Sequence, residues 1–193
     1  KANLEIILNK LLSKEKITIA QHASISSAIQ YEVNNSSLAS CSLVIEAIVE
    51  NLAIKHSVFS SLEEIVSDTC ILATNTSSLS IAYIGSVLKN PSRIIGIHFF
   101  NPAPLMPLVE IIPGVATSLN ITTACKNLID SWGKVTVIAK DTPGFIVNRV
   151  ARPFYSEALR IYEEGIANMP TIDWAMKEVA GFKMGPFELM DLI

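Results

Sequence analysis

A histidine and a glutamate in this sequence stand where the pair could move a proton. His98 ends an apolar segment, residues 93–97, and Glu110 lies inside the apolar run 105–112. An imidazole titrates near neutral pH and is a natural general base. A buried glutamate is costly unless it is paired, and beside an imidazole it would fix the tautomer and stabilise the imidazolium. We therefore predict a His98–Glu110 dyad on adjacent strands. The alternative is a structural histidine and an outward-facing glutamate on an edge strand.

Two further polar side chains could hold an oxygen atom of a substrate. Ser77 lies in the polar cluster 75–78, and Asn148 stands near the start of a helical pattern. A hydroxyl and an amide can both donate a hydrogen bond to such an oxygen. The ordinary alternatives are a helix cap for Ser77 and a surface helix position for Asn148. Glu50 and Lys55 have the spacing of a pair on a helix surface, which would contribute little to stability.

Alternating strand and helix patterns position these side chains. The predicted strands are short apolar runs at residues 42–49, 70–74, 93–97, 107–112 and 135–138. Strands that alternate with helices in this way are typical of an α/β domain with a largely parallel sheet. Such sheets bind ligands beyond the carboxyl ends of their strands, where the clusters 46–51, 75–78 and 98–101 fall. We expect one cleft to collect these clusters and Asn148.

Helical patterns predominate on either side of this alternation. Before it, the spacing of apolar residues predicts helices at 3–16 and 18–28, with a short strand at 31–34. After it, the sequence predicts helices at 145–164, 171–180 and from 186 onward. The change of character after residue 140 divides the chain into an α/β domain, residues 1–140, and an all-helical domain, residues 141–193.

The composition excludes several classes of protein. The chain is 50% hydrophobic and has a formal net charge of −3, which gives no electrostatic reason to bind nucleic acid or a membrane surface. No apolar run approaches the roughly 20 residues that cross a bilayer. Cys41, Cys70 and Cys125 have no metal-site spacing, and such a scattered odd set favours free thiols in a reducing compartment. We expect the cytoplasm, or the mitochondrial matrix in a eukaryote.

Five motifs, in one order, resemble those of the L-3-hydroxyacyl-CoA dehydrogenase family, and the bacterial 3-hydroxybutyryl-CoA dehydrogenases most of all. The matching stretches cover nearly the whole chain and lie at residues 75–79, 96–102, 108–110, 141–149 and 184–189. The resemblance implies a Rossmann-like, doubly wound and mostly parallel sheet, followed by a helical C-terminal domain. It also implies NAD as the cofactor, an acyl-CoA substrate, and a homodimer formed mainly through the helical domain.

The resemblance further implies a role for each candidate residue. The implied catalytic set is Ser77, His98, Glu110 and Asn148. The implied contacts with the cofactor come from Glu50, Lys55, Ser77 and Asn101. In this scheme His98 takes the proton of the 3-hydroxyl group as a hydride leaves C3, and Glu110 orients His98. Ser77 and Asn148 hold the hydroxyl or carbonyl oxygen.

One motif of the family is absent from this sequence. The family begins with a strand, a G-x-G-x-x-G turn and a helix that cradle the cofactor pyrophosphate, whereas the first glycine here is Gly85. We therefore expect an internal piece of a longer enzyme, without the first strands of the sheet and with an incomplete helical domain. We expect that piece alone to be inactive.

Two other functions remain open on the sequence. A related NAD-dependent dehydrogenase of a small hydroxy acid or a sugar acid could use the same His98–Glu110 pair. A non-catalytic protein of the same fold, similar to some lens crystallins, is a third possibility. The intact set of four catalytic candidates argues against the structural protein, because a structural role does not require them.

Overall fold

The computed structural model describes residues 2–192 and divides them into two compact units, one ending at Ser40 and one beginning at Cys41. The first unit contains α1 (Ala2–Ser13), α2 (Ile19–Ala28) and a 3₁₀ helix (Asn35–Ser40). A capping box begins α2, in which Thr18 accepts a hydrogen bond from the backbone N–H of Gln21. Both predicted helices are confirmed.

The short strand predicted at residues 31–34 is wrong. This segment has no regular structure, and the 3₁₀ helix follows it. The Asn34 side-chain oxygen accepts a hydrogen bond from the backbone N–H of Ser36, at 3.0 Å, and this Asx turn starts the helical turn instead.

The second unit begins with a five-stranded sheet and its helices. Asn51 caps the first of these helices, because its side-chain oxygen accepts a hydrogen bond from the N–H of Ile54. The elements in chain order are β1 (Leu43–Glu46), α3 (Leu52–Ile65), β2 (Ile71–Thr74), α4 (Ile81–Gly85), a 3₁₀ turn (Pro91–Arg93), β3 (Ile94–Phe99), β4 (Leu108–Pro113), α5 (Leu119–Ser131) and β5 (Val135–Ile138).

The strands lie in sequence order, β1-β2-β3-β4-β5. All pairings are parallel except that of β3 with β4, so β4 and β5 run opposite to the first three strands. The predicted α/β class with a mostly parallel sheet is confirmed. The reversal has a simple cause, because the connection at residues 100–107 is shorter than the dozen or so residues of a parallel crossover.

The two faces of the sheet have different characters. One face packs its aliphatic side chains against α5, in a core of Ala73, Ile95, Ile97, Val109, Ile111, Cys125 and Ile129. Because side chains alternate along a strand, His98 and Glu110 point to the other face, together with Gly96. A side chain on Gly96 would meet Ile81 of α4, since a Cβ there would lie 2.7 Å from its Cδ1. The second face thus carries the candidate dyad, and α4 packs closely against this face at Gly96.

Three helices follow the sheet within the second unit, at α6 (Val147–Glu163), α7 (Met169–Glu178) and α8 (Pro186–Leu192). The buried Asp173 carboxylate accepts hydrogen bonds from the backbone N–H groups of Phe187 and Glu188 and so joins α7 to α8. The helical character after the sheet agrees with the prediction. The domain division at residue 140 stays a prediction. No helix within residues 2–192 is long and apolar enough to cross a membrane.

Candidate active site

The structure brings His98 and Glu110 together at the centre of the sheet. The two residues are direct partners in the antiparallel pairing of β3 with β4. His98 Nδ1 lies 2.7 Å from Glu110 Oε2, and Glu110 is fully buried. The other carboxylate oxygen, Oε1, accepts hydrogen bonds from the backbone N–H groups of Ile146 at 2.9 Å and Val147 at 3.0 Å. The alternative of an outward-facing glutamate on an edge strand is therefore wrong.

One nitrogen of His98 is left for chemistry. A carboxylate only accepts hydrogen bonds, so Nδ1 carries a proton and the neutral imidazole has its lone pair on Nε2. Nε2 forms no hydrogen bond with any residue in the range 2–192. The ring packs against Phe100 and Phe145, at centroid distances of 4.6 and 5.6 Å. This arrangement holds the ring plane and directs its free lone pair.

Ser77 lies in a loop that is held through its backbone. The Glu50 carboxylate accepts hydrogen bonds from the Ser77 N–H at 3.1 Å and from the Thr76 hydroxyl at 2.5 Å. No residue in the described range forms a hydrogen bond with the Ser77 hydroxyl. The helix cap that we considered for Ser77 is instead Ser80, which accepts a hydrogen bond from the N–H of Tyr83. The Ser77 hydroxyl is thus positioned by its loop and remains available.

Glu50 and Lys55 do not form the exposed pair that we considered. Lys55 is only 1% exposed, and its ammonium group binds both oxygens of Glu46, at 2.7 and 2.9 Å, and Glu50 at 3.4 Å. Burial opposes ionisation of Glu50, but hydrogen bonds from Thr76 and Ser78 and the charge of Lys55 outweigh it and lower the Glu50 pKa. Lys55 therefore faces two carboxylates in the interior and is not a surface residue.

Asn148 and Asn101 each follow a segment that carries or contacts the dyad. Asn148 is half-buried in the first turn of α6, directly after Val147, whose N–H binds Glu110. Asn101 is exposed in the loop after β3. The N–H of Phe99, at the end of β3, donates to the Asn75 side chain at 2.9 Å, which ties this loop to the end of β2.

The sequence reasoning missed the roles of two carboxylates in this region. The Glu46 carboxylate, 4% exposed, accepts hydrogen bonds from Lys55 and, at 2.7 Å, from the Thr74 hydroxyl. Asp141 accepts three hydrogen bonds at the start of α4. An acid inside an apolar strand was the signal for Glu110, and the same signal could have revealed Glu46. Within the described part of the chain, no cluster of histidine, cysteine or acidic residues could hold a metal ion.

Comparison with known families matches two models to this chain. Residues 1–142 match the 3-hydroxyacyl-CoA dehydrogenase, NAD binding domain, and residues 144–193 match the 3-hydroxyacyl-CoA dehydrogenase, C-terminal domain. Together these models cover almost the whole sequence.

Similar proteins carry the same family name. The chain is 52% identical to a 3-hydroxyadipyl-CoA dehydrogenase of Escherichia coli over 156 residues, which is 81% of this chain and 33% of the relative. It is 45% identical to a 3-hydroxybutyryl-CoA dehydrogenase of Clostridioides difficile over 192 residues, 100% of this chain and 68% of the relative. A crystal structure of an Escherichia coli 3-hydroxybutyryl-CoA dehydrogenase superposes with a TM-score of 0.97 at 44% identity, over 99% of this chain and 40% of that one. The chain thus spans between a third and about two thirds of each of these proteins.

Proposed function

The chain belongs to the 3-hydroxyacyl-CoA dehydrogenase family, and on that premise we propose that it carries the catalytic centre of an NAD-dependent L-3-hydroxyacyl-CoA dehydrogenase. The reaction oxidises the C3 hydroxyl group to a ketone. The observation that carries the proposal is the buried 2.7 Å contact between His98 Nδ1 and Glu110, which leaves His98 Nε2 free to accept a proton.

His98 is the general base in this proposal. Its Nε2 accepts the proton of the 3-hydroxyl group, which leaves the imidazole positively charged. Glu110 stabilises that charge across the short contact, and it cannot rotate away because Ile146 and Val147 hold its second oxygen. The burial of the pair strengthens the electrostatic interaction, because water does not screen it.

Ser77 and Asn148 hold the reacting oxygen atom. Each side chain can donate a hydrogen bond, and that bond strengthens as the oxygen gains negative charge. The two side chains come from different parts of the fold, Ser77 from the loop after β2 and Asn148 from the first turn of α6. The substrate oxygen would therefore bind where these two parts meet, beside His98.

The described residues fit one end of NAD. Glu50, Ser77 and Asn101 follow the carboxyl ends of β1, β2 and β3 respectively, where sheets of this kind bind ligands. Their polar groups suit the nicotinamide end, and NAD supplies the acceptor for the hydride when it is bound there. No glycine-rich turn for the pyrophosphate occurs in this sequence. Lys55 acts through Glu50, because its ammonium group is buried between two carboxylates.

The substrate that we propose is an acyl-CoA thioester with a short chain, such as 3-hydroxybutyryl-CoA. The names of the relatives support this class, since one acts on 3-hydroxybutyryl-CoA and another on 3-hydroxyadipyl-CoA. The test is NADH formation by the full-length protein with each of these thioesters and with the matching free hydroxy acids. We expect turnover of the thioesters only. Turnover of free hydroxy acids alone would move the function to a dehydrogenase of small acids.

We also propose a homodimer and a reducing compartment. The helices after the sheet line an apolar groove of about 720 Å³ with Val150, Phe154, Phe182, Met184 and Leu189, and a second copy would cover it. All three cysteines are free, which supports the cytoplasm or the mitochondrial matrix. Light scattering of the full-length protein measures the dimer directly, and a monomer at micromolar concentration would contradict it.

A further inference from the structure

Asp141 forms hydrogen bonds that none of the catalytic roles proposed above explains. It follows β5 in the connection to α6, and its carboxylate binds the start of α4. Oδ1 accepts a hydrogen bond from the N–H of Ile81, and Oδ2 accepts from the N–H of Ala82 and from the Ser80 hydroxyl, each at 2.8 Å. Three bonds of this length to one half-buried carboxylate form a firm link between two distant parts of the chain.

This link is more than a helix cap. Several helices of the same chain are capped by the residue directly before them, as Asn51 caps α3, Ser118 caps α5 and Asn168 caps α7. The start of α4 has such a cap in Ser80. Asp141 reaches it from about 60 positions away, and it therefore fixes the connection after β5 against α4.

The far end of the same connection is fixed by the dyad. The N–H groups of Ile146 and Val147 bind Glu110, so the segment is held at both ends and only residues 142–145 lie between. Inside this short span Gly144 and Phe145 have positive φ angles, +78° and +44°. A positive φ is strained for phenylalanine. Phe145 nevertheless packs against the His98 ring, so the two anchors keep the strained residue in place.

We propose that Asp141 is a positioning residue that sets the distance between Ser77 and Asn148. Ser77 lies three residues before Ser80, in the segment that leads into the start of α4, where Asp141 binds. Asn148 lies directly after Val147, whose N–H donates a hydrogen bond to Glu110 at the far end of the connection. The Asp141 carboxylate therefore joins the two parts of the fold that must converge on one substrate oxygen. This inference rests on the proposed function for its catalytic consequence, but the link itself can be tested without substrate.

The variants that test it are Asp141→Asn and the milder Ser80→Ala in the full-length protein. An amide side chain has one acceptor oxygen for three donors and turns its own N–H groups toward the rest. Hydrogen exchange measured by mass spectrometry should speed up in Asp141→Asn by at least about tenfold at residues 81–82 and 142–147. The same variant should lose turnover by about a hundredfold, the scale expected for a misplacement near 1 Å. KM for NAD should change much less than kcat, because Asn101 and Glu50, the other proposed contacts with the cofactor, form no hydrogen bond with Asp141. Ser80→Ala removes one of the three bonds to Asp141 together with the 3.4 Å cap bond from the N–H of Tyr83, and it should show a smaller change of the same kind.

Glu63→Gln provides the matched control. The Glu63 carboxylate also accepts two backbone N–H groups, those of Lys89 and Asn90, but it lies near the amino end of β3, away from the dyad. The Glu63→Gln variant should have a lower melting temperature and an unchanged kcat. Asp141→Asn would overturn the proposal if exchange at residues 142–147 stayed as in the unmodified protein, or if kcat fell no more than in Glu63→Gln. If the unmodified enzyme turned over no acyl-CoA, the proposed function would fail. The exchange measurement would still show whether Asp141 fixes the connection after β5 against α4.

Discussion

Two buried contacts between a carboxylate and a basic side chain involve strands of this sheet, one at β1 and one at β3 and β4, and they differ in which atoms remain free of partners. At the end of β1, Lys55 binds both oxygens of Glu46 and one of Glu50. On β3 and β4, His98 binds Glu110 through one nitrogen only. Both pairs are buried and both contacts are 2.7 Å at their shortest.

The difference separates a structural ion pair from a catalytic one. The ammonium group of Lys55 faces two carboxylates and has nothing to offer a substrate. Its deprotonation would leave the buried Glu46 carboxylate and the partly exposed Glu50 carboxylate without their cation. His98 keeps a lone pair on Nε2 while Glu110 fixes the other nitrogen. A buried ion pair is therefore a candidate for proton transfer when one member retains an unused atom that can exchange a proton.

Replacing His98 by glutamine is the most direct test of this distinction. We expect kcat of the full-length enzyme to fall by about 10²–10⁴-fold, the usual contribution of a general base. NAD affinity should stay within about twofold, since the side chain does not hold the cofactor. Steady-state kinetics and titration of NAD fluorescence quenching give the two numbers.

The matched control for this variant is His56→Gln. His56 is half-buried on α3, and among the described residues its Nε2 forms a hydrogen bond only with the carbonyl oxygen of Tyr83, so this change should leave kcat unaltered. An equal loss of turnover and NAD affinity in His98→Gln would show that His98, like Lys55, is a structural residue.

Glu110→Gln should be nearly as damaging, by about 10²–10³-fold in kcat. The glutamine oxygen has two donors to satisfy, the N–H groups of Ile146 and Val147, so its NH₂ group turns toward His98. Nδ1 must then accept a hydrogen bond, which moves the imidazole proton to Nε2 and removes the base. Nitrogen NMR of the imidazole identifies the tautomer, and an unchanged tautomer with full activity would refute the dyad.

Lys55→Met tests the structural side of the comparison. It leaves the buried Glu46 carboxylate without its cation, and we expect a loss of about 3–5 kcal/mol in the free energy of unfolding. A second change, Glu46→Gln, should restore part of that loss, because the uncompensated charge disappears. Denaturant unfolding of the single and double variants measures both effects.

An exposed pair gives the control for the lysine variant. Lys126 and Asp130 are neighbours on the surface of α5, with side chains 41% and 36% exposed, so Lys126→Met should cost no more than about 0.5 kcal/mol. If Lys55→Met cost as little, the buried pair would contribute no more than a surface one. The distinction between the two sites would then rest on His98 alone.

The sequence was sufficient for the dyad because the relevant signal is local. Each strand is a visible apolar run, and Glu110 is the one acid within its run. Its neighbour β3 comes directly before it, so a hairpin contact between the two was the simplest arrangement. The order of strands and helices from residue 42 to 138 was predictable for the same reason.

The sequence was not sufficient where a contact joins distant segments. Glu46 and Lys55 are close along the chain, but whether they face the interior depends on how α3 packs on the sheet. Asp141 binds residues that lie about 60 positions earlier in the chain, and no pattern within either segment predicts this contact. Ser77 was placed correctly in the polar loop, yet the cap of the next helix fell three residues later at Ser80.

The smallest expected effect concerns Glu50, the more exposed of the two carboxylates that face Lys55. Its pKa is lowered in the folded state from the ordinary value of 4.5. A lowered pKa gives stability that is present above pH 4.5 and is lost as the pH falls through the folded-state value. The side chain is 37% exposed, so solvent screening limits the contribution to less than about 1 kcal/mol. Glu50→Gln should therefore flatten the loss of stability below pH 4.5 and change the melting temperature little at neutral pH. Thermal unfolding across this range measures the effect. An unchanged slope would mean that the hydrogen bonds from residues 76–78 hold the neutral and the charged side chain equally well, and that Lys55 works through Glu46 alone.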